Sequence, residues 1–528
     1  MIKRTVLDAT RELLRELGLT TVFGNPGTTE VPFLTGWPDD FHYVLGLQES
    51  AVVAMADGYA QATRQAVLVN LHSAGGVGHG LGNLFNAYRN RTPLIIVAGQ
   101  QTRALLPHDP FLGALDAAAF PKPYVKWSIE PASAEDVPAA LARAYHIATQ
   151  APSGPVFVSV PADDWSVTTE RPAISRPRIR GFAPDPEAID ELHAALEAAE
   201  RPAIVVGGAV DHDGAVVETV ALAERLNAAV YVAPMSYRSS FPEDHPLFQG
   251  FLEPERGAIS DKLAGHDLVV VFGAPAFTYH VDRGRGESPL PPLFVVSDDE
   301  QILARAFEGT GIRATPKLGV RALLNVVERS TRPAPAPLRR PAKPSSETLT
   351  GEFVYSTLAE LMPDNAIVVE EAPSHRGILH DHLPITASDT GFLTTASGTL
   401  GYGVPAAVGA ALARPDRKVV AVIGDGSSMY GIQALWTAAR QELPVTFVIL
   451  DNSEYAAVRI YGDSIGSVKL PDTGLGGIDF AALAASMGCQ GTTVTEPSGL
   501  VPALTAALAD HRPTLVRVRV TSPSGSHY

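Results

Sequence analysis

Val419-Val420-Ala421-Val422-Ile423-Gly424-Asp425-Gly426-Ser427-Ser428 is answered downstream by Phe447-Val448-Ile449-Leu450-Asp451-Asn452, and this pair of stretches decides the fold. Each is a short apolar, β-branched run of the kind that forms a buried parallel strand. Each stops abruptly at small or acidic residues, at the carboxyl end of the strand, where open α/β sheets bind ligands. About 25 residues separate Gly426 from Asn452, enough for one helix and a return strand, so the two polar tips are expected side by side. Asp425 and the amide oxygen of Asn452 then offer hard oxygen ligands suited to Mg²⁺ or Ca²⁺. Gly424 and Gly426 let backbone approach a phosphate, and Ser427 can hydrogen-bond it at the start of the next helix. The outline is that of a metal-diphosphate site.

Outward from this point the same alternation repeats. In the first third, Thr21-Val22-Phe23 reads as a strand running into the turn-rich Gly24-Asn25-Pro26-Gly27-Thr28-Thr29. Tyr43 to Leu47 is the next strand and ends at Gln48-Glu49, with a helix from about Ala51 to Ala62. The strand Ala66 to Leu71 delivers His72 into a glycine-rich loop, Gly75 to Gly80. Strands at Pro93–Ala98 and Pro155–Val160 follow, the latter expected to close the sheet. A Pro/Arg-rich stretch, 171–177, and a longer one, Arg332 to Pro344, read as linkers. The fold class is therefore α/β, with three doubly wound domains over 1–180, 181–340 and 341–528.

The totals agree with such a protein. A chain of 528 residues, 45% apolar and 19% charged, can bury three cores. Its net charge of −16 argues against a nucleic-acid partner. No apolar run is long enough to span a bilayer, and the amphipathic start Thr5–Leu14 is not a signal peptide. A cytoplasmic enzyme is expected. The single cysteine, Cys489, permits no disulfide framework and reads as a small buried hydrophobe.

Gly-Asp-Gly-Ser answered by Asp-Asn resembles the cofactor motif of thiamine diphosphate (ThDP) enzymes, and the three-domain layout resembles their decarboxylases over essentially the whole chain. The resemblance is strongest to the benzoylformate decarboxylases. It is carried by Phe23-Gly24-Asn25-Pro26-Gly27, Gln48-Glu49, Asn70-Leu71-His72-Ser73-Ala74, Ala98-Gly99-Gln100-Gln101-Thr102-Arg103 and Ala434-Leu435-Trp436-Thr437-Ala438-Ala439. It implies a pyrimidine-binding, a central and a diphosphate-binding domain. The implied reaction is non-oxidative decarboxylation of an aromatic 2-oxo acid to aldehyde and CO2, through a cofactor ylide and an enamine.

The resemblance also implies roles. Glu49 would bond the aminopyrimidine ring nitrogen; at a buried strand end its pKa is expected to rise. His72 and His280 would exchange protons with the reacting carbon, work suited to imidazole near neutrality. The other histidines of the 15, among them His79, His108, His266 and His375, are read as structural. Thr28 stands where the family has serine; its hydroxyl could touch the substrate carboxylate, although a helix N-cap role competes. The Gly398 carbonyl would meet the aminopyrimidine and Leu400 would hold the cofactor folded. Gly424, Asp425, Gly426, Ser427, Asn452 and Tyr455 complete the cofactor set. Asp425, Asn452 and the Glu454 carbonyl would bind Mg²⁺, with Ca²⁺ able to substitute; the Glu454 side chain must turn away or touch the metal's water.

Phe111, Leu112, Thr394, Ala457 and Tyr461, with Thr28, would line the substrate pocket. Thr394 and Tyr461 replace expected phenylalanines, which makes the pocket more polar and points to a larger or ring-hydroxylated acid. Partners are then a small 2-oxo acid and further copies of the chain, as a dimer or tetramer with sites at subunit interfaces. No flavin is expected: Val206-Gly207-Gly208 lacks a glycine-rich fingerprint, and Gly75 to Gly80 has no acidic partner. The alternatives are decarboxylation of another 2-oxo acid, carboligation to a 2-hydroxyketone, a flavin-dependent synthase and an inactive cofactor-binding scaffold.

Overall fold

The computed structural model describes residues 4–171, 181–284, 286, 288–467 and 470–523. From residue 172 on, the first predicted linker stretch lies outside the described residues. Three six-stranded, wholly parallel sheets dominate. The first runs, in spatial order, His42–Leu45, Thr21–Asn25, Val67–Leu71, Leu94–Gln100, Val156–Pro161 and Trp127–Ile129. The third runs Phe392–Leu393, Ile367–Glu371, Val419–Gly424, Val445–Asp451, Thr514–Arg519 and Gln490–Val494. Both sheets start inside, step to one edge and then reverse. The reversal falls between Thr21–Asn25 and Val67–Leu71 in the first, and between Ile367–Glu371 and Val419–Gly424 in the third. Ligand crevices form where strand order reverses.

The central sheet runs Phe248–Phe251, Ala229–Val232, Pro202–Val206, Leu268–Phe272, Leu293–Ser297 and Thr310–Arg313, the 3-2-1-4-5-6 order of doubly wound folds. Its middle strands, like those of the outer sheets, are largely apolar and buried on both faces.

One expectation fails. The strand Val156–Pro161 does not close the first sheet; Trp127–Ile129 pairs outside it. That edge strand has three half-buried residues, too few to show a periodicity.

The first and third domains share a core. Helix Glu49–Thr63 packs on helix Gly403–Ala413 so closely that glycine is required at the contact. A Cβ on Gly58 would lie 2.1 Å from the Ala406 carbonyl oxygen, and one on Gly409 1.9 Å from that of Met55. The central domain is tied in by the fully buried Arg238. It meets Asp211 at 2.5 Å, Gln61 Oε1 of the first domain at 3.0 Å and Thr390 Oγ1 of the third at 3.0 Å. A charge held this deep requires such partners.

Candidate active site

The third sheet supplies one half of the site. Strands Val419–Gly424 and Val445–Asp451 pair in register, Gly424 opposite Leu450, so their tips are side by side. Asp425 opens the one-turn helix Asp425–Ser428. Its carboxylate accepts the N–H of Gly426 at 2.7 Å and that of Ser453 at 2.7 Å. Burial, with Asp451 adding like charge, pushes the Asp425 carboxyl up to about 6. Asn452 Oδ1 accepts the Glu454 N–H at 3.2 Å, and Ser427 is buried at the same tip. The Tyr455 ring covers Gly426, where a Cβ would come within 2.4 Å of it. Glu454 turns its side chain away, to Arg459 at 3.1 Å and to the Ser522 hydroxyl. Of the two orientations open to it, the ion pair selects the outward one.

Segment 395–401 is pinned from two sides. Asn86 Nδ2 donates to the Thr399 carbonyl at 3.1 Å and Asn83 Nδ2 to that of Gly401 at 3.0 Å. Asn90 Oδ1 accepts the Ala396 N–H at 2.9 Å. From below, Glu371 accepts the N–H groups of Gly401 and Gly403, each at 2.6 Å. Gly398 within this segment has φ +77°, a conformation that favours glycine, with open space before it; Leu400 is half-buried.

The first sheet supplies the other half. Glu49 is the first residue of its helix, which Gln48 caps by accepting the Ala51 N–H. Glu49 Oε2 lies 3.2 Å from His79 Nδ1. His79, read as structural from the sequence, sits on the candidate activating carboxylate, although its side chain is 69% exposed. The predicted glycine-rich loop is corrected. Gly75 to Gly80 lies within helix Ser73–Arg89, and a Cβ on Gly76 would come within 3.2 Å of Glu49 Oε1. Gly76 admits the Glu49 side chain, and Gly80 admits Val53. Read as a helix, the stretch would have placed His79 two turns beyond His72.

His72 caps that helix, and two residues not singled out in the sequence hold it. Its Nδ1 lies 2.8 Å from Glu30 Oε2 and 3.0 Å from Thr29 Oγ1. Thr29 donates its own proton to Glu30 Oε1 at 2.7 Å, so its oxygen can only accept from His72. The network therefore assigns the proton to Nδ1 and leaves Nε2 for exchange. Gly27 is needed here, since a Cβ would lie 2.2 Å from the imidazole. Thr28 is exposed, and Gly27 rather than Thr28 is the cap of the turn Thr28–Glu30.

Among the pocket residues, the Leu112 carbonyl accepts from Ser73 Oγ at 2.7 Å, which sets this segment beside His72, while Phe111 is 86% exposed. Thr394 is buried at the tip of the third sheet, the Ala457 N–H donates to Ser374 Oγ at 3.1 Å, and Tyr461 is half-exposed. His280 lies in an exposed loop of the central domain, where its backbone N–H donates to the Pro254 carbonyl.

Three family descriptions match this arrangement: the N-terminal TPP binding domain of thiamine pyrophosphate enzymes over residues 4–120, their central domain over 189–323, and their C-terminal TPP binding domain over 372–518. The chain belongs to the thiamine pyrophosphate enzyme family. It is 41% identical to a benzoylformate decarboxylase of Pseudomonas aeruginosa, covering 98% of each chain. The crystal structure of benzoylformate decarboxylase from Polynucleobacter necessarius superposes with TM-score 0.96 at 39% identity, over 98% of this chain and 99% of the other. A thiamine diphosphate-dependent 4-hydroxybenzoylformate decarboxylase of Rhodococcus jostii gives 0.95 at 41%, over 98% and 100%. A thiamine pyrophosphate enzyme uses ThDP with a divalent ion such as Mg²⁺, and the donors present fit that pair. One carboxylate, one amide oxygen and one carbonyl are hard ligands, and among the described residues Asp425 has no basic ion-pair partner. Among the described residues, no helix is long and apolar enough to cross a membrane.

Proposed function

We propose that this chain is a ThDP- and Mg²⁺-dependent carboxy-lyase that converts an aromatic 2-oxo acid, of the benzoylformate kind, to an aldehyde and CO2. The observation that carries the reading is the Glu30-held His72 beside Glu49 at the tips of the first sheet, in a chain whose third sheet presents Asp425 and Asn452. ThDP, when bound, supplies the nucleophilic carbon and the electron sink that decarboxylation needs. The chain supplies the rest. Asp425, Asn452 and the Glu454 carbonyl would hold the metal; Gly424, Gly426, Ser427 and Tyr455 would cradle the diphosphate.

Gly398 and Leu400, fixed through Glu371 and the three asparagines, would seat the pyrimidine end against Glu49. His72 would deliver or remove a proton through Nε2, with Glu30 holding the ring in that tautomer. His280 would act as a second proton-exchanging group. Thr28, Phe111, Leu112, Thr394, Ala457 and Tyr461 would enclose the substrate.

A second copy of the chain would complete the site, giving a dimer or tetramer. Exposed apolar side chains support this: Phe111 and Leu115 on the segment that Ser73 holds through the Leu112 carbonyl, and Val458 and Ile465 in and just after the helix Ala456–Ser464. Such patches mark association surfaces.

The test is turnover of benzoylformate and ring-substituted analogues by purified protein, read as aldehyde. Aldehyde formation that depends on ThDP supports the reading. Absence of aldehyde from every aryl acid, with acetolactate formed from pyruvate, would replace it by a synthase.

A further inference from the structure

The tip of strand Ile367–Glu371 carries a polar triad, Glu370 with Arg376 and Thr394, of which only Thr394 has a role above. Glu370 is wholly buried, and both its oxygens face donors. Oε1 accepts the Ala372 N–H at 2.6 Å; Oε2 accepts from Arg376 Nε at 2.8 Å and from Thr394 Oγ1 at 2.9 Å. Arg376 Nη2 also donates to Thr394 Oγ1 at 2.8 Å. The threonine hydroxyl thus receives one proton and gives one. Thr394 is 2% exposed and the Glu370 side chain not at all, whereas the Arg376 side chain is 21% exposed. Arg376 is the member of the triad whose side chain reaches open space.

The same segment joins both walls of the candidate pocket. Thr394 closes one side through its bonds to Glu370 and Arg376. On the other, Ser374 accepts the N–H of Ala457, in the helix Ala456–Ser464 that carries Tyr461. Arg376 follows Ser374 by two residues and begins the helix Arg376–His382.

We infer that Arg376 determines ring specificity by donating a hydrogen bond to an oxygen substituent on the aromatic ring of the substrate, an inference that rests on the decarboxylase reading. The chemistry is selective. Glu370 neutralises the guanidinium, so no net charge is offered to an anionic substituent. The carboxylate is committed to its own donors, so the triad offers N–H groups and no acceptor. A neutral hydroxyl or methoxy oxygen suits such a site, and a methyl group of similar size does not. A phenylalanine at 394 would accept no hydrogen bond from the guanidinium.

The experiment compares kcat/KM for benzoylformates carrying hydroxyl, methoxy or methyl at ring position 4, in the ThDP-loaded protein. The hydroxyl compound should exceed the methyl compound by about tenfold to a hundredfold, the span of a hydrogen bond to a charged donor. In an Arg376→Met, Glu370→Gln double variant, which removes both charges of the pair together, the ratio should fall to about one. Thr394→Val, of nearly the same volume, should lower it by about threefold to tenfold. A wild-type ratio near one, or a ratio unchanged in a variant that turns over either compound, would overturn the inference while leaving the decarboxylase standing. Failure of the wild type to release aldehyde from any of the acids would overturn both.

Discussion

Nδ1 of His72 lies 2.8 Å from Oε2 of Glu30, a carboxylate with 1% of its surface exposed. Glu30 also accepts the N–H groups of Gly27 and Gly99, each at 2.8 Å, and the hydroxyl of Thr29. Four donors thus converge on one buried carboxylate, and a neutral amide in its place would turn an NH2 group against some of them. Glu30→Gln should therefore lower kcat by about 10- to 100-fold, the usual effect of losing the group that orients a working imidazole. ThDP affinity should stay within about threefold of the parent, because Glu30 lies behind His72. Steady-state kinetics with a ThDP titration checks this, and an unchanged kcat would remove Glu30 from the machinery.

The two acidic residues at the third-sheet tips should behave oppositely. Asp425→Ala removes a proposed metal ligand and should weaken Mg²⁺-dependent ThDP binding at least about a hundredfold. Glu454 contributes its carbonyl while its side chain is tied to Arg459 and Ser522. Glu454→Ala should shift that affinity by less than about threefold. Calorimetric titration of ThDP at fixed Mg²⁺ distinguishes the pair, and equal losses would place the Glu454 carboxylate on the metal.

Asp57 makes a pH signature measurable. Burial pushes its carboxyl up to about 6, against the donors Thr92, Gln61 and Asn90, which pull it down. Between the ordinary carboxylate range and about 6 the folded protein holds a proton that the unfolded chain has released. Stability is thus lost as pH rises through that window, by about 3 kcal/mol when complete. Asp57→Asn cannot titrate. From pH 4 to pH 7 the midpoint of thermal unfolding should move in the variant's favour relative to the parent, and parallel profiles would refute the assignment.

Much of this arrangement is legible in the residues. The runs around Val419 and Phe447 become adjacent parallel strands because only buried strands are β-branched and apolar throughout. Asp425 and Asn452 reach one edge because both runs end at their polar residues. What was hidden depends on three-dimensional partners. Glu30 looks like an ordinary acid near a helix start, and nothing in the sequence shows that His72, 42 positions later, will meet it. His79 was obscured because glycines suggest a loop, although Gly76 and Gly80 are there to let a helix approach Glu49 and Val53. The outward turn of Glu454 depends on Arg459 and on Ser522, far along the chain. The strand Trp127–Ile129 is too short to announce itself.

The central claim is that Glu49 activates a bound cofactor for decarboxylation. It is tested most directly by aldehyde release from benzoylformate, with and without added ThDP and Mg²⁺, in the parent and in Glu49→Gln. The account predicts release that requires both additions and falls by about 10²- to 10⁴-fold in the variant while ThDP remains bound. Aldehyde formed at the parental rate by Glu49→Gln, or without the cofactor, would contradict it.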